Sequence, residues 1–570
     1  MSTAARAISH LVLFVVLGVT GAWLWQRHAQ AWDLGRRSPI LSYDAAEYML
    51  AARELAQHRQ FATTYALPIE LARHAQPPWP LASVQPGLVI SEALIYRLTL
   101  APPRMVNSRL FESRRPDQFD FIALLLPFTC YILIAIALAF ASSRLMRMHF
   151  PSVPISGRTL GAGLVAFAFL LDPESQHYAV GGFPELPFTL GLVSALALIA
   201  LGSAARWPLL FGLLLGITGA FHGSMLWLVP AFALGNAFSA EGGHGVRRLV
   251  RTLVGYAIPL APWWLYKWHA FGTPGWDLSA LTLWDGVQGR TWFTMFHQSE
   301  PPELPHGASA ALLLTQKLFR NLPSLAAELA RGLRPVLAGA LVLWLLTVHE
   351  APRALRAAVV TALAVMGLAA IGAALSVPQL RLLFPARVAL EAVGILTVLG
   401  LLNGAPGLSG VARRALISLA AVLVLAWGTW QTWRGGVEAR EASQQRGTPS
   451  TLTLLQIATF MNREIPAGEP VMSNLGPVLA WESRRPVIHL TASPDDLNAC
   501  RRRMDFRRVL LVFRDAEHAW PEWQEVVAHP TESLHRVEWG VRHVRRFDST
   551  DGFQVIWLDL APLGPELAGR

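Results

Sequence analysis

Asp44 and Glu47 stand three residues apart in the stretch Ser42 to Phe61, SYDAAEYMLAARELAQHRQF. Ala, Leu, Met, Arg, Gln and Glu dominate this stretch, and no Gly or Pro interrupts it, which predicts a helix. The i, i+3 spacing then puts both carboxylates on one face of the first turn. Taken alone, the pair is N-terminal helix chemistry, with Ser42 or Asp44 as the cap and Glu47 complementing the dipole. Two or three carboxylates in one place are also a feasible divalent-cation site, although no spacing here demands one. Tyr48 joins Ala51, Ala52, Leu55 and Ala56 in one apolar stripe, the ordinary use of an amphipathic ring. Glu185 is the other carboxylate at the start of an apolar run. Arg381 lies where the charge pattern makes Arg scarce. Guanidinium forks match phosphate oxygens, and the competing use is a snorkelling interfacial anchor. His222 lies where two apolar segments meet, a setting for a packed or hydrogen-bonded ring.

The elements that hold these residues must be membrane spans. The chain has 570 residues, is 53% hydrophobic and only 15% charged, with a mean hydropathy of +0.37. That composition describes an integral membrane protein. The excess of Lys+Arg (48) over Asp+Glu (38) gives +10. The basic residues sit in short loops and in the tail, so the charge reads as topology and lipid headgroup contact, with no nucleic acid as partner. Cys130 and Cys500 lie in an apolar span and in the polar tail, and they make neither a disulfide framework nor a thiolate metal site. Trp23, Trp25 and Gln26 stand where a signal peptidase needs small residues, so the first span reads as retained.

In order, Ile8–Trp25 spans and 26–118 is a structured outer loop. Phe119–Ala141, Leu160–Leu171 and Phe183–Leu201 span, with Asp172, Glu174 and His177 in a loop between the last two. Trp207–Phe238 is too long for one helix, and Gly219, His222 and Gly223 mark a break into two. Leu253–Trp268 spans, 270–335 is a second outer loop, and Val336–Val348, Ala357–Leu375, Leu383–Leu402 and Leu416–Trp433 complete a set of about eleven. Arg144/Arg147/Arg158, Arg206, Arg247/Arg248/Arg251, Arg353/Arg356 and Arg413/Arg414 fall on alternate loops. The positive-inside rule then places the N-terminus in the cytoplasm and both long loops and the tail outside. The tail reads as a small α/β domain. Thr451–Ile465 is an amphipathic helix, and Val471–Leu475, Val487–Leu490, Val509–Phe513 and Phe553–Leu558 are strands. Further helices lie near Asp495–Met504 and Trp520–Val527. No GxGxxG or Walker A pattern occurs, so no nucleotide is assigned.

One span, an outer loop opening with Asp, many spans and an outer α/β tail resemble the GT-C class of membrane glycosyltransferases. The likeness reaches to protein O-mannosyltransferases and to the transferases that add aminoarabinose to lipid A. Four pieces carry it. Asp44-Ala-Ala-Glu47-Tyr48 looks like the first-loop motif, an Asp with a Tyr four residues on. Gln76-Pro77-Pro78-Trp79 before the Leu88–Leu98 helix looks like the Lys-Pro-Pro-Leu element. Phe183-Pro184-Glu185-Leu186-Pro187 looks like the acidic start of the fourth span. Leu380-Arg381-Leu382-Leu383-Phe384-Pro385 looks like the late Arg-aromatic-Pro element.

The resemblance implies a polytopic α-helical membrane protein of the bacterial cytoplasmic membrane, with a GT-C-like membrane domain over 1–434 and a periplasmic α/β domain over 435–570. It implies transfer of a sugar from a polyprenyl-phosphate donor to a lipid, glycan or protein acceptor on the outer face, in the inverting manner. In that chemistry a carboxylate takes the acceptor's proton while cations hold the departing phosphate. Asp44 is then the base and Arg381 the phosphate ligand. Glu47, Tyr48, Glu185 and His222 contact substrate, and Arg73 and His74 are weaker candidates. Some members use a metal and others do not, so a divalent cation remains an open option.

The departures bear on the donor. Gln76 replaces the Lys before Pro-Pro, Ala75 is no metal ligand, and Glu47 stands where the aminoarabinose enzymes carry a basic residue. Two other classes compete. A secondary transporter has as many spans but more usually shows inverted repeats, and no such symmetry is visible. A non-catalytic envelope-assembly protein would keep the GT-C pattern without activity. Convergence of Asp44 and Glu185 on one outer cavity would favour the enzyme.

Overall fold

The computed structural model of the chain describes residues 3–32, 43–98, 122–149, 153–239, 244–332, 352–378, 380–404, 409–444, 449–536 and 539–562. Its helices in chain order are α1 Thr3–Ala31, α2 Tyr43–His58, α3 Pro86–Leu98, α4 Ile122–His149, α5 Ile155–Leu170, α6 Pro173–Gly181 and α7 Glu185–Ala200. Next come α8 Ser203–Arg206, α9 Pro208–Phe221, α10 Met225–Phe238, α11 Gly245–Phe271, α12 Trp292–Phe296 and α13 Gly307–Gly332. The series closes with α14 Arg353–Leu375, α15 Phe384–Gly404, α16 Gly410–Gln444, α17 Thr451–Glu464, α18 Gly476–Ser483, α19 Leu497–Arg503 and α20 Gln524–Ala528.

Among the described residues, α1, α4, α14 and α16 are each long and apolar enough to cross a membrane, and the pair α5 and α6, bent by 59°, makes up to five. The apolar helices α7, α9 and α10 are shorter. Length and composition alone therefore fall short of the expected eleven. The span expected over Leu253–Trp268 lies inside the longer α11, whose helix includes Arg247, Arg248, Arg251 and Lys267. The span expected over Val336–Val348 lies outside the described residues. The break at His222 is present: α9 ends at Phe221 and α10 begins at Met225. The segment with Asp172, Glu174 and His177, expected as a loop, is the helix α6. Asp172 caps it by accepting from Ser175 N, and Pro173 fills its first position, where no N–H is missed.

The apolar helices pack in two cores. One joins Leu17 and Leu24 of α1 to Tyr131 and Ile134 of α4, Val165 and Phe169 of α5, and Phe384 and Val388 of α15. The other joins Phe188 and Leu192 of α7 to Phe211 of α9, Phe232 of α10 and Val365 of α14.

The tail carries a six-stranded sheet in the order β2-β5-β4-β6-β8-β7. Its strands are β4 Val471–Ser473, β5 Val487–His489, β6 Arg508–Phe513, β7 Val541–Asp548 and β8 Gln554–Leu560. The edge strand β2, Tyr65–Ala66, comes from the first long loop and runs parallel to β5, with Tyr65 opposite Val487. In the same loop β1, Ala62–Thr63, pairs antiparallel with β3, Trp79–Pro80. The parallel pair β4 and β5 is joined through α18, and β8 runs antiparallel to both its neighbours, β6 and β7. Within the second long loop α13 is a helix of 26 residues, where a polar loop was expected.

One core runs from the loop into the tail. It unites Met49, Leu50 and Ala52 of α2 with Leu88 of α3, Leu454 and Met461 of α17, Leu479 of α18 and Trp557 of β8. The helix α2 is therefore covered on more than the one stripe its sequence shows: Ala45, Ala46, Met49, Leu50, Arg53 and Glu54 are buried as well. Arg53 explains part of this. Its Nη1 donates to Trp481 O at 3.1 Å and its guanidinium lies 5.0 Å from the Trp481 ring, so it satisfies carbonyls of the last turn of α18.

Candidate active site

Three chain segments converge at one end of the membrane helices. Asp44 comes from the first turn of α2 and points outward, its side chain 54% exposed. Glu185 is the first residue of α7, directly after the N-cap Pro184, so its carboxylate lies at the positive helix end. Arg381 lies in the 3-10 turn Leu380–Leu383 that leads into α15. Its Nη1 lies 3.4 Å from Asp44 Oδ2 and 3.8 Å from Glu185 Oε1. Glu185 Oε2 is buried and has no hydrogen-bond partner. Gly182 makes this approach possible. It sits at φ +69 between α6 and α7, and a Cβ there would meet Ala45 Cβ at 3.0 Å, beside Asp44.

The other carboxyls of the site are less accessible. Ser83 Oγ hydrogen-bonds the Glu47 carboxyl, which is half-buried. Burial, then the neighbouring Glu70 and Asp44, hold Glu47 well above the usual carboxylate range. Glu70, in the 3-10 turn Pro68–Ala72, accepts from Leu67 N at 2.7 Å, and burial pushes it up to about 7. Tyr48 is 6% exposed. Burial and the charges of Glu185, Asp44 and Glu47 raise its phenol, which keeps the O–H as a donor. Asp44 is thus the solvent-facing carboxylate of the group, with Arg381 against it. No group of three His, Cys, Asp or Glu among the described residues is arranged to hold a metal ion.

His222 lies within electrostatic reach of Arg381 and Asp277. Its Nδ1 accepts from Ser224 N at 3.2 Å, and its ring stacks on Phe188 at 5.0 Å. Arg73 and His74 are engaged elsewhere. Arg73 Nη1 donates to Phe271 O at 3.2 Å and its guanidinium lies 3.9 Å from the Trp276 ring, while His74 Nε2 bonds Ala270 O at 2.9 Å. Both fasten the end of α11 to the first loop. The structure therefore brings Asp44, Glu185 and Arg381 into contact, sets Glu47, Tyr48 and His222 around them, and leaves Arg73 and His74 out.

No family model matches the sequence, and no curated protein matches it. Among solved structures, the crystal structure of ArnT from Cupriavidus metallidurans bound to undecaprenyl phosphate superposes with a TM-score of 0.52 at 13% identity, covering 98% of this chain and 99% of that one. The chain has a GT-C fold. The apo form of the same ArnT gives a TM-score of 0.49 at 12% identity over 99% of both chains. An oligosaccharyltransferase of Archaeoglobus fulgidus, tethered to an acceptor peptide, gives 0.49 at 12% identity over 96% of this chain and 74% of that chain. At 13% identity the likeness to ArnT is one of fold, and the residues that do chemistry in this GT-C chain have to be argued from its own geometry.

That geometry contains groups the sequence reading passed over. Lys267, 4% exposed, donates to Trp276 O at 2.6 Å and lies 3.6 Å from Asp277 Oδ2, which also accepts from Gln85 Nε2 at 3.2 Å. Lys267 and Lys317 are the chain's two lysines, and both are buried. That scarcity was the available signal. A second arginine–carboxylate cluster also went unread. Arg387 Nη2 lies 2.9 Å from Asp172 Oδ2 and 3.1 Å from Glu174 Oε2. An acidic pair at a helix start and an Arg far along the chain carry no local pattern that links them.

Proposed function

We propose that the protein is a glycosyltransferase that moves a sugar from a polyprenyl-phosphate donor to a lipid, glycan or protein acceptor on the outer face of the bacterial cytoplasmic membrane. The observation that carries the reading is the contact of Asp44 and Glu185 with Arg381, three residues from three distant segments. The GT-C fold supports it, as does the undecaprenyl phosphate bound by ArnT.

In this mechanism Arg381 exchanges its long contacts to the carboxylates for the phosphate of the donor. A guanidinium fork meets phosphate oxygens better than a single contact at 3.4 Å meets Asp44. The exchange frees Asp44, which takes the proton of the acceptor nucleophile. The nucleophile attacks the anomeric carbon, the bond from that carbon to the phosphate oxygen breaks, and the polyprenyl phosphate leaves with its new negative charge against Arg381. A single displacement of this kind inverts the anomeric configuration. Glu185, held at the buried end of α7, keeps Arg381 aimed, and Tyr48 and His222 line the approach. Glu47 and Glu70, both raised above the ordinary range, limit the negative charge around the incoming phosphate.

The division into a membrane part over 1–434 and a periplasmic part over 435–570 belongs to the same proposal. A reporter fused at Gly447 should be active only outside the cytoplasm, and activity only inside would overturn the orientation. For the chemistry, purified protein is assayed with polyprenyl-phosphate sugars. Equal turnover by wild type and Asp44→Asn would remove Asp44 from the mechanism and make Glu185 the leading carboxylate.

A further inference from the structure

A cavity of about 500 Å³ lies next to the Asp44–Glu185–Arg381 group, between the end of α1, the start of α6, the first turns of α15 and the last turns of α16. Its lining includes Trp32, Trp427, Gln431, Asp172, Glu174 and Arg387. Tyr178 links the lining residue Glu174 to the surroundings of Arg381. Tyr178 donates its hydroxyl to Glu174 at 2.8 Å, its ring lies 5.0 Å from that of Phe384, and Arg381 is within its electrostatic reach. The frame is firm. Thr432 Oγ1 of α16 donates to Leu171 O at 2.8 Å, and Ser443 Oγ donates to Trp32 O at 3.2 Å.

The lining narrows what fits. The volume is that of a small-molecule site, roughly 300–1,000 Å³. An anion finds no unmatched cation: Arg387 is neutralised by Asp172 and Glu174, and Arg434, also on the lining, pairs with Glu438 at 2.8 Å. A metal ion would have to displace a guanidinium from both carboxylates. A lipid tail would strip the water from the Arg387 and Arg434 ion pairs. A neutral polyol with an apolar face meets every feature. The Gln431 amide offers a donor and an acceptor. Trp32 and Trp427 offer indole faces, large amphipathic surfaces of the kind that line small-molecule sites.

We propose that this chamber is a saccharide subsite that takes a pyranose unit of the donor or of the acceptor, next to the point of transfer. The choice of a sugar over other neutral polyols rests on the glycosyl transfer proposed above. The chamber lies one aromatic side chain, Tyr178, from Arg381.

The test is direct binding by the full-length protein in a sugar-free detergent, read by saturation-transfer NMR. The probes are D-glucose, D-galactose, N-acetyl-D-glucosamine and inorganic phosphate. At least one pyranose should give a signal, and Trp427→Ala and Gln431→Ala should each cut it several-fold with the thermal midpoint unchanged. Asp44→Asn should leave the signal intact, so the subsite is read even where no turnover is found. Displacement of the monosaccharide by undecaprenyl-phosphate glucose assigns the subsite to the donor, and displacement by maltotriose assigns it to the acceptor. Phosphate binding without sugar binding overturns the proposal. So does a sugar signal that both substitutions leave unchanged, or one that neither competitor displaces.

Discussion

Arg381 and Arg387 stand close together in the chain, and each faces two carboxylates, yet the two clusters are built to different tolerances. Arg387 is gripped at 2.9 and 3.1 Å, with its side chain 13% exposed and that of Asp172 7% exposed. Arg381 is held at 3.4 and 3.8 Å, with its side chain 40% exposed and that of Asp44 54% exposed, while that of Glu185 is 5% exposed. A short, buried pair is costly to break, because one partner is left as an uncompensated charge. A long, exposed pair such as that of Arg381 with Asp44 is worth little and is easily exchanged. The first cluster holds α6 to α15. The second is left freer to trade partners, which the phosphate capture proposed for Arg381 requires. An arginine with two acids is thus either a bolt or a latch, and distance with exposure tells which.

Substitutions can break this comparison. The largest effect should come from Asp44→Asn. Turnover with polyprenyl-phosphate sugars should fall about 10²–10⁴-fold, the usual worth of a general base, while the thermal midpoint stays nearly constant. Next comes Arg387→Leu, which should lower stability by about 3–5 kcal/mol in detergent unfolding measurements. Arg381→Leu should cost less in the same experiment, because the one buried carboxylate it leaves, Glu185, is held at a longer contact. Equal losses for the two would erase the distinction between bolt and latch. A smaller change is expected from Arg381→Lys, which replaces a fork by a point charge and should weaken donor binding by about 1.5–3 kcal/mol. Titration of donor into each protein measures it, and unchanged affinity would reduce Arg381 to an anchor.

The smallest effect concerns pH at the junction of the second loop with the tail. His297 stacks on Phe293 at 4.4 Å, and its ring lies 4.4 Å from that of His489, which is parallel to Trp520 at 5.6 Å. Burial lowers His297 to about 4 and His489 well below 6.5. The unfolded chain therefore binds more protons than the fold between pH 6.5 and 4. The stability of this junction is fully present above 6.5 and declines as pH falls through that window. Protection factors against hydrogen exchange over 292–297, corrected for the intrinsic pH dependence of amide exchange, should fall on acidification, and His297→Phe should flatten the fall.

The carboxylates were legible because each sits at a punctuation mark of the sequence. Asp44 opens an uninterrupted helical stretch, Glu185 lies between two prolines, and Arg381 precedes Phe384-Pro385. The His222 break was legible from length. The burial of α2 was not, because Arg53 finds its partner Trp481 on α18, far along the chain. The strand β7 escaped because its sequence, VRHVRRFD, is an exposed edge with no clean alternation. α18 was missed behind Gly476-Pro477, which reads as a turn although Pro is at home in a helix's first turn. Helix α13 replaced an expected loop for another reason. Its Lys317 is buried against the Thr282 and Leu283 carbonyls at 3.1 and 3.0 Å, contacts the sequence does not announce.

The strand β2 has a consequence for biogenesis. A ribosome delivers Tyr65 and Ala66 hundreds of residues before Val487 and Ile488, with which they pair. The loop that carries Asp44 must therefore wait without its docking partner until the last part of the polypeptide has been made. Chains ordinarily mature from the N-terminus forward. Here the segment bearing the candidate base is among the last to be secured. A nascent or truncated chain lacking the tail would display Asp44 on an unclamped helix, so that assembly is completed before the site is.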